Sequence, residues 1–364
     1  MTISPPIELE TVACSHCGSR STRPLYESRD RLHGLPGSYT VVRCRQCSLV
    51  YLNPRPTMSS LTAYYPEDYS CYDYAPQMPE PPQIPSPMNA VNLNKRRAWS
   101  LSRINLAHSV RRQWFDYPPK PGEGFYQTNP ILAPLVKLLC YPLSRSLDLL
   151  PYGRSGSLLD VGCGAGRTLD RFKQEGWVTT GVEMNPMVAA RVRERGHHVF
   201  CGELHAAHFS SESFDAVIIE HTLEHVSDPA TLLKEMHRIL RPGGTLKVAV
   251  PNFGGILART FGRHWYMLDV PRHLYQFTPR TLHSLLRGSG FKVAKWRTKS
   301  YAEHLLYSWQ YARHRQRGRA YGVEPYSRAL ERGLRPFCRF VDILRMGNEL
   351  QVWGIREWSR ERNA

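Results

Sequence analysis

Glycines recur at alternate positions within Leu158–Leu169, a stretch that reads LLDVGCGAGRTL. An apolar run ends in an acidic residue, Gly162, Gly164 and Gly166 follow, and the next residues can start a helix. This pattern predicts a buried strand leading into a glycine turn, where a parallel α/β sheet binds a nucleotide-like ligand. The spacing is GxGxG rather than the GxGxxG of dinucleotide-binding proteins, because Arg167 stands where the last glycine of that motif would fall.

Acidic residues end three of the predicted strands. Asp160 ends the first apolar run, Glu183 ends the β-branched run within Gly176–Asn185, and Glu220 ends the run Phe214–Ile219. Glu183 lies 23 residues after Asp160, close to where an open α/β sheet presents a carboxylate to ribose hydroxyls. A carboxylate suits that contact because it accepts two hydrogen bonds from a vicinal diol.

Predicted strands and helices alternate through the second half of the chain. Helices are expected over Pro186–Arg195 and Pro229–Leu240, with a short strand at His198–Cys201. The RPGG sequence at Arg241–Gly244 predicts a turn before a strand over Thr245–Val250. This order with short connections predicts an α/β fold with a mostly parallel, doubly wound sheet.

Four motifs in this order resemble those of the class I S-adenosylmethionine-dependent methyltransferases: LLDVGCGAG, GVEMNP, SFDAVIIEHTLEHVSDP and LRPGGTLKVAVPN. The resemblance covers residues 155–300 and implies a Rossmann-like sheet with S-adenosylmethionine as the cofactor. WYMLDVPRHLYQFTP, further along, resembles a subgroup that modifies small molecules and glycans. The implied cofactor-binding residues are Asp160, Gly162, Cys163, Gly164, Gly166, Glu183, Met184 and Glu220. By this resemblance Glu183 binds the ribose hydroxyls, Met184 packs on the adenine and Glu220 flanks the methionine moiety.

Two cysteine pairs near the N-terminus have the spacing of metal ligands. Cys14 and Cys17 form CSHC, Cys44 and Cys47 form CRQC, and 26 residues lie between the pairs. They predict two knuckles that hold one Zn²⁺ ion through four thiolates, and Gly18 suits the tight turn after the first. A four-thiolate site has no open position, so the zinc should be structural. Two redox motifs are the alternative, although neither pair opens a helix after a strand.

The remaining five cysteines show no ligand spacing and are expected to be buried apolar residues: Cys71, Cys140, Cys163, Cys201 and Cys338. A zinc ribbon followed by LVYLNPRP and a class I methyltransferase resembles the layout of bacterial sugar methyltransferases. The chain lacks the long third domain of the sugar C-methyltransferases, which argues against C-methylation of a nucleotide sugar.

A general base for a hydroxyl acceptor is expected among the fifteen histidines, because the imidazole pKa lies near neutrality. His273, in DVPRHLYQFT, follows the fifth strand in a loop that should face the transferred methyl group. We therefore predict His273 as the base, with Arg272 and Tyr275 as candidate positioning groups. The alternative is a capping or packing role before the helix that begins at Thr278 and Pro279.

A second constellation consists of His221, Glu224 and His225. It is similar to the EVLEH run of ubiquinone-type O-methyltransferases, which is associated with a divalent metal. His221 replaces the first glutamate of that run, and hard cations prefer oxygen ligands. The sequence therefore leaves open whether these residues bind a second metal.

A net charge of +17 and a pI near 9.6 favour an anionic partner. Asn94–Arg112 and Arg313–Arg319 carry much of the excess. An anionic membrane surface or a nucleotide-linked substrate is favoured over nucleic acid, and a solvated basic surface is the alternative. No signal peptide and no apolar run of eighteen residues are present, so a cytoplasmic protein, at most peripheral to a membrane, is expected.

The domain organisation follows from these motifs. We predict a zinc-ribbon domain over 1–74, a proline-rich linker over 75–93, a helical lid or connecting segment over 94–154, and a methyltransferase domain over 155–364 with a helical insertion at 300–347. Within the connecting segment, we expect one of three roles for residues 130–150: a lid over the cofactor cleft, a membrane contact, or a helix packed on the sheet. The alternating run Asn348–Arg356 predicts a last, antiparallel edge strand.

These expectations combine into an O-methyltransferase that acts on a small molecule, a sugar, or a glycan- or lipid-linked substrate. Two alternatives remain. One is an RNA methyltransferase whose ribbon and basic helices grip the phosphate backbone. The other is a non-catalytic scaffold that binds the cofactor and recruits a partner through the ribbon.

Overall fold

The computed structural model describes residues 7–65, 115, 117, 149–317 and 326–357. The predicted linker over 75–93, the basic segment Asn94–Arg112, Cys71, Cys140 and most of the connecting segment lie outside the described residues. The domain boundaries given above therefore stay predictions.

A seven-stranded sheet forms the second half of the chain. Its strands are β6 (Ser157–Val161), β7 (Val178–Glu183), β8 (His198–Cys201), β9 (Phe214–Glu220), β10 (Leu240–Pro251), β12 (Phe291–Lys299) and β13 (Glu349–Arg356). They lie in the order β12–β13–β10–β9–β6–β7–β8. β13 is antiparallel to both of its neighbours, and the pairs from β10 to β8 are all parallel. The predicted mostly parallel sheet with an antiparallel last strand is confirmed.

The prediction that this last strand forms an edge is wrong. β13 lies between β10 and β12, with Val352 opposite Val248 on one side and Trp296 on the other. Every β13 residue from Glu349 to Gly354 is buried. An alternating apolar pattern reports which faces of a strand are covered and carries no information on its lateral neighbours. The topology therefore had to come from the structure.

Helices connect these strands and cover both faces of the sheet. They are α2 (Arg167–Gln174), α3 (Pro186–Glu194), α4 (Pro229–Ile239), α5 (Ile256–Phe261), α6 (Pro279–Gly288), α7 (Ala302–Arg317) and α8 (Arg328–Ile343), after a short N-terminal α1 (Met58–Leu61). The side chains of Asn185, Asp228 and Thr278 cap α3, α4 and α6, and a proline follows each cap. These caps explain why the predicted helix starts agree with the structure.

The RPGG turn is absorbed into β10. This strand begins at Leu240, and its pairing with β9 changes register between Leu240 and Thr245. The predicted turn is therefore an irregularity within a longer strand. Two helices, α7 and α8, lie within the predicted insertion at 300–347, and residues 318–325 between them are not described.

The N-terminal residues form a small antiparallel module. β2 (Thr22–Ser28), β3 (Tyr39–Cys44) and β4 (Val50–Leu52) pair in sequence, and β11 (Tyr275–Gln276) adds a fourth strand beside β4. β1 (Leu9–Glu10) pairs with β5 (Arg55–Pro56). Because β11 belongs to the His273 loop, the module and that loop share one sheet. A continuous hydrophobic core also joins them.

Among the described residues, no helix combines the length and the apolar character that crossing a lipid bilayer requires.

Candidate cofactor and acceptor site

The glycine turn has the backbone conformation that its sequence predicts. Gly162, Gly164 and Gly166 all have positive φ angles, between 49° and 80°. A Cβ atom on Gly162 would collide with the side chain of Thr222, which follows β9. Glycine is therefore required twice here, for its left-handed backbone and for the close approach of the two loops.

The three predicted carboxylates lie at the carboxyl ends of adjacent strands, since β9, β6 and β7 are neighbours. Asp160 is buried, and burial together with the negative charges of Glu220 and Glu183 raises its pKa well above the usual value. Lys247, buried on β10, donates to Glu220 Oε1 over 2.7 Å. The site is thus acidic, and a bound cation would relieve the repulsion between Asp160 and its neighbours.

Glu183 connects the second strand to the glycine turn. Its Oε2 accepts a hydrogen bond from the Gly164 N–H at 2.9 Å, and its Oε1 accepts one from the Asn185 N–H at 2.8 Å. Each carboxylate oxygen retains a lone pair for a further donor. Met184, the next residue, is 59% exposed beside this carboxylate. Such a pair suits a nucleoside, because the carboxylate can accept hydrogen bonds from the ribose hydroxyls and the apolar side chain can pack on the base.

Cys163 contributes to this loop through its backbone. Its N–H donates to the Val182 carbonyl, and its side chain is buried in a cluster with Leu169, Val188 and Val192. Burial raises the pKa of this thiol, which lies 2.7 Å from where a Cβ on Gly181 would be. Any contact of Cys163 with a cofactor would therefore be made by its main chain.

His273 lies at the centre of a buried histidine–carboxylate cluster. Its Nδ1 lies 2.8 Å from the Met267 carbonyl oxygen. Its Nε2 lies 3.9 Å from carboxylate oxygens of both Glu224 and Asp269. The ring of His225 contacts that of His273, with centroids 4.6 Å apart. The ligand-type atoms of Glu224, His225 and His273 lie within 4.8 Å of one another, which is also close enough to surround a cation.

The charges within the cluster differ from residue to residue. Burial, together with the nearby His273, lowers the pKa of His225 to about 4, so that this ring is neutral at pH 7. His221 shows the opposite behaviour: although burial opposes its charged form, the carboxylates of Glu224 and Glu349 raise its pKa well above the usual value. His221 Nε2 lies 2.9 Å from Glu349 Oε2. Glu224 is fully buried, and neither of its carboxylate oxygens has a hydrogen-bond partner among the described residues.

Arg272 and Tyr275, the candidate positioning groups, face the N-terminal module. Arg272 is fully buried and donates to Asp269 at 2.6 Å and to Asp30 at 2.7 Å. The Tyr275 hydroxyl donates to the Ser227 carbonyl and accepts from Arg55. These side chains hold the His273 loop in place. The helix cap that was the alternative role for His273 is provided by Thr278.

The four N-terminal cysteines converge. Cys14 Sγ lies 3.4 Å from Cys47 Sγ, Cys17 Sγ lies 3.5 Å from Cys44 Sγ, and all four sulfur atoms lie within 4.8 Å of one another. A zinc tetrahedron with bonds of about 2.3 Å has sulfur–sulfur edges of about 3.8 Å, so the set fits this ion. Both knuckles end in a left-handed residue, Gly18 and Ser48, whose N–H bonds back to the first cysteine.

Sequence reasoning missed three residues of the site. Asp30 and Glu349 are distant in sequence from the histidines that they help to hold. Lys247 could have been noticed, because a lysine in the apolar run TLKVAV needs a buried anion. The partners of Asp30 and Glu349 are long-range contacts, which leave no local pattern.

The open α/β sheet, with a glycine turn and carboxylates at its carboxyl edge, defines a Rossmann-like nucleotide-binding fold. A family model described as a methyltransferase domain matches residues 137–295. A ubiquinone biosynthesis O-methyltransferase from Sodalis glossinidius is 32% identical over 181 residues, which are 47% of this chain and 68% of the relative. The chain thus belongs to the class I S-adenosylmethionine-dependent methyltransferase family.

Two further proteins are similar over shorter or more divergent stretches. A ubiquinone biosynthesis O-methyltransferase from Pseudomonas paraeruginosa is 31% identical over 150 residues, which are 38% of this chain and 65% of the relative. A solved S-adenosylmethionine-dependent methyltransferase from Archaeoglobus fulgidus is 20% identical, with a TM-score of 0.41, over 60% of this chain and 93% of that one. The chain therefore spans just under two thirds of the Pseudomonas relative.

Proposed function

We propose that this protein transfers a methyl group from S-adenosylmethionine to a hydroxyl of a small-molecule acceptor, and that His273 is the general base. The family, and the O-methyltransferases among its relatives, support the reaction. When bound, S-adenosylmethionine supplies an electrophilic methyl group on a positively charged sulfur. Asp160, Glu183 and Glu220 would hold it. The glycine turn would accommodate the part of the cofactor that lies against the protein backbone.

The 2.8 Å contact between His273 Nδ1 and the Met267 carbonyl oxygen is the observation that carries the assignment of the base. A carbonyl oxygen only accepts, so Nδ1 must be the protonated nitrogen that donates to Met267. In the neutral imidazole this leaves the lone pair on Nε2, the atom that faces Glu224 and Asp269. The acceptor proton would move to Nε2, and these two carboxylates would stabilise the imidazolium that forms.

The neighbouring histidines are poorer bases for this reaction. With a pKa of about 4, His225 has little affinity for a proton at pH 7. His221 is held in its charged form by Glu349 and Glu224, so it has no lone pair to offer. The positive charge of His221 could attract an acceptor that carries a negative charge.

His273→Asn tests the assignment, because the asparagine amide can still donate to the Met267 carbonyl while the Nε2 base is lost. We expect kcat to fall by about 100-fold or more, the usual contribution of a general base, with cofactor affinity unchanged. The assay uses radiolabelled S-adenosylmethionine with the fraction of a cell extract that gains label.

His205→Asn, at an exposed position outside the cluster, is the matched control. Full activity of His273→Asn would overturn the base assignment. If the wild-type protein bound the cofactor but labelled no fraction, the proposed reaction itself would fail and the scaffold alternative would gain support.

We also propose that Cys14, Cys17, Cys44 and Cys47 hold a structural Zn²⁺ ion. The convergence of four thiol groups, whose sulfur atoms all lie within 4.8 Å of one another, supports a closed four-thiolate site.

A further inference from the structure

A small cavity, partly open to solvent, lies where the N-terminal module meets the loop that precedes His273. Ser28, at the end of β2, and Arg31 line it from the module. Arg263, Trp265 and Asp269 line it from the opposite side. Neither half of the chain forms this cavity alone.

Two hydrogen-bond donors that line the cavity are buried without a partner. Ser28 is 5% exposed and Trp265 is 1% exposed, and neither Ser28 Oγ nor Trp265 Nε1 has a hydrogen-bond partner among the described residues. An unsatisfied buried polar group costs about 1–3 kcal/mol. Since an indole N–H can only donate, a ligand that satisfies it must offer an acceptor atom.

The cavity is also lined by positive charge. Arg29, Arg31 and Arg263 are among the residues that line it, and the Arg31 Nε–H donates to the Arg263 carbonyl at 3.2 Å. Asp269 is the one carboxylate among the described lining residues, and Arg272 donates to it over 2.6 Å. Guanidinium groups match the geometry of phosphate oxygens, and charge-assisted hydrogen bonds are stronger than neutral ones.

We propose that this cavity binds a phosphate-type oxyanion, which accepts hydrogen bonds from Ser28 and Trp265 and is neutralised by the arginines. Asp269 lines the cavity, and its carboxylate also lies 3.9 Å from His273 Nε2. The cavity and the His273 site are therefore adjacent and have this residue in common. Resting on the proposed function, we take the anion to be a phosphate group of the acceptor, anchored here while a hydroxyl of the same molecule reaches His273. A free phosphate ion is the other source of the same chemistry.

Calorimetric titration of the zinc-loaded full chain with inorganic phosphate, at constant ionic strength, tests the site without cofactor or methyl transfer. We expect saturable binding by the wild-type protein. Trp265→Phe keeps an aromatic side chain and removes the N–H, and Arg263→Gln removes one exposed charge. Each should weaken binding about tenfold, as expected for one lost charge-assisted hydrogen bond. Arg280→Gln, an exposed arginine outside the cavity, should bind like the wild type.

Phosphatase treatment of the labelled extract fraction then separates the two sources. If the acceptor carries the phosphate, treatment raises KM for the wild-type protein, and Arg263→Gln has the same KM before and after treatment. Phosphate binding with an unchanged KM would assign the cavity to the free ion. Absence of saturable binding, or equal affinity in Trp265→Phe, Arg263→Gln and Arg280→Gln, would overturn the proposal. Phosphate binding without any methyl transfer would instead count against the proposed reaction alone.

Discussion

Asp160, a candidate cofactor-binding residue, lies where the folded protein disfavours its negative charge. Its carboxylate is buried, and burial together with Glu220 and Glu183 raises its pKa well above 3.8. The folded state therefore holds the proton more tightly than the unfolded state does. As the pH rises from about 4 through the raised pKa, ionisation of Asp160 increasingly opposes folding.

Asp160→Asn should therefore stabilise the protein without its cofactor at neutral pH. The expected gain is about 1 kcal/mol, or about 2–4 °C in melting temperature, near zero at pH 4 and growing toward pH 8. The same variant should bind cationic S-adenosylmethionine more weakly, with a smaller loss for the uncharged sulfur of S-adenosylhomocysteine. Thermal melts across this pH range and calorimetric titrations provide the measurements.

Glu194 is exposed and offers the control, since Glu194→Gln should change neither the melting temperature nor the affinity for the two ligands. A variant that melts below the wild type at pH 8, or that loses the two ligands equally, would contradict this account of Asp160.

At the scale of elements, the His273 loop is held by the module that it joins. β11 pairs with β4, and Arg272 connects the loop to Asp30 beyond β2. The Arg272 guanidinium and the Asp30 carboxylate are fully buried. A buried pair contributes little net stability against an apolar replacement, but removing one partner leaves an uncompensated charge.

Arg272→Ala should cost about 3–5 kcal/mol of unfolding free energy, because it leaves the carboxylates of Asp30 and Asp269 without their partner. Urea denaturation measures this loss. Arg335→Ala is the matched control: Arg335 pairs with Glu331 on the exposed side of α8, and its loss should cost at most about 1 kcal/mol. Similar costs for the two variants would show that the buried triad does not hold the loop.

At the scale of the whole molecule, the four-cysteine cluster and the glycine turn contact different parts of the candidate site. The module carrying the cysteines packs on the His273 loop through β4, where the Leu52 N–H donates to the Leu274 carbonyl. The glycine turn packs instead on β7 and α3, and a Cβ on Gly166 would meet Val192 and Arg195.

Removal of zinc, by a chelator or by Cys47→Ser, should thus impair methyl transfer more than cofactor binding. We expect one zinc ion per wild-type chain, a melting temperature at least about 5 °C lower after removal, and a cofactor Kd within about threefold of the wild type. Metal analysis, melting curves and titration report these quantities. Cys338→Ser, outside the cluster, should keep its zinc. A metal-free wild-type protein, or a cofactor Kd that collapses together with activity, would refute this division of roles.

The sequence by itself determined the elements whose signals are local. The glycine turn requires left-handed residues at fixed spacing, helices begin at Asn185, Asp228 and Thr278 because capping is a short-range interaction, and the CxxC pairs form their knuckles within a few residues. His273 could be singled out by its motif. Neither the carbonyl that fixes its tautomer nor the carboxylates around it could be read from that motif.

Tertiary structure alone decided what depends on contacts between distant residues. It placed β13 between two strands rather than at the edge, turned Arg272 toward Asp30, and closed the arginine-lined cavity between Ser28 and Trp265. Such contacts join residues that are distant in the sequence, and their energies depend on burial and packing that no short segment encodes. The candidate cofactor site therefore follows from local sequence, whereas the surroundings of His273, the proposed base, follow from the way in which the N-terminal module packs on the sheet.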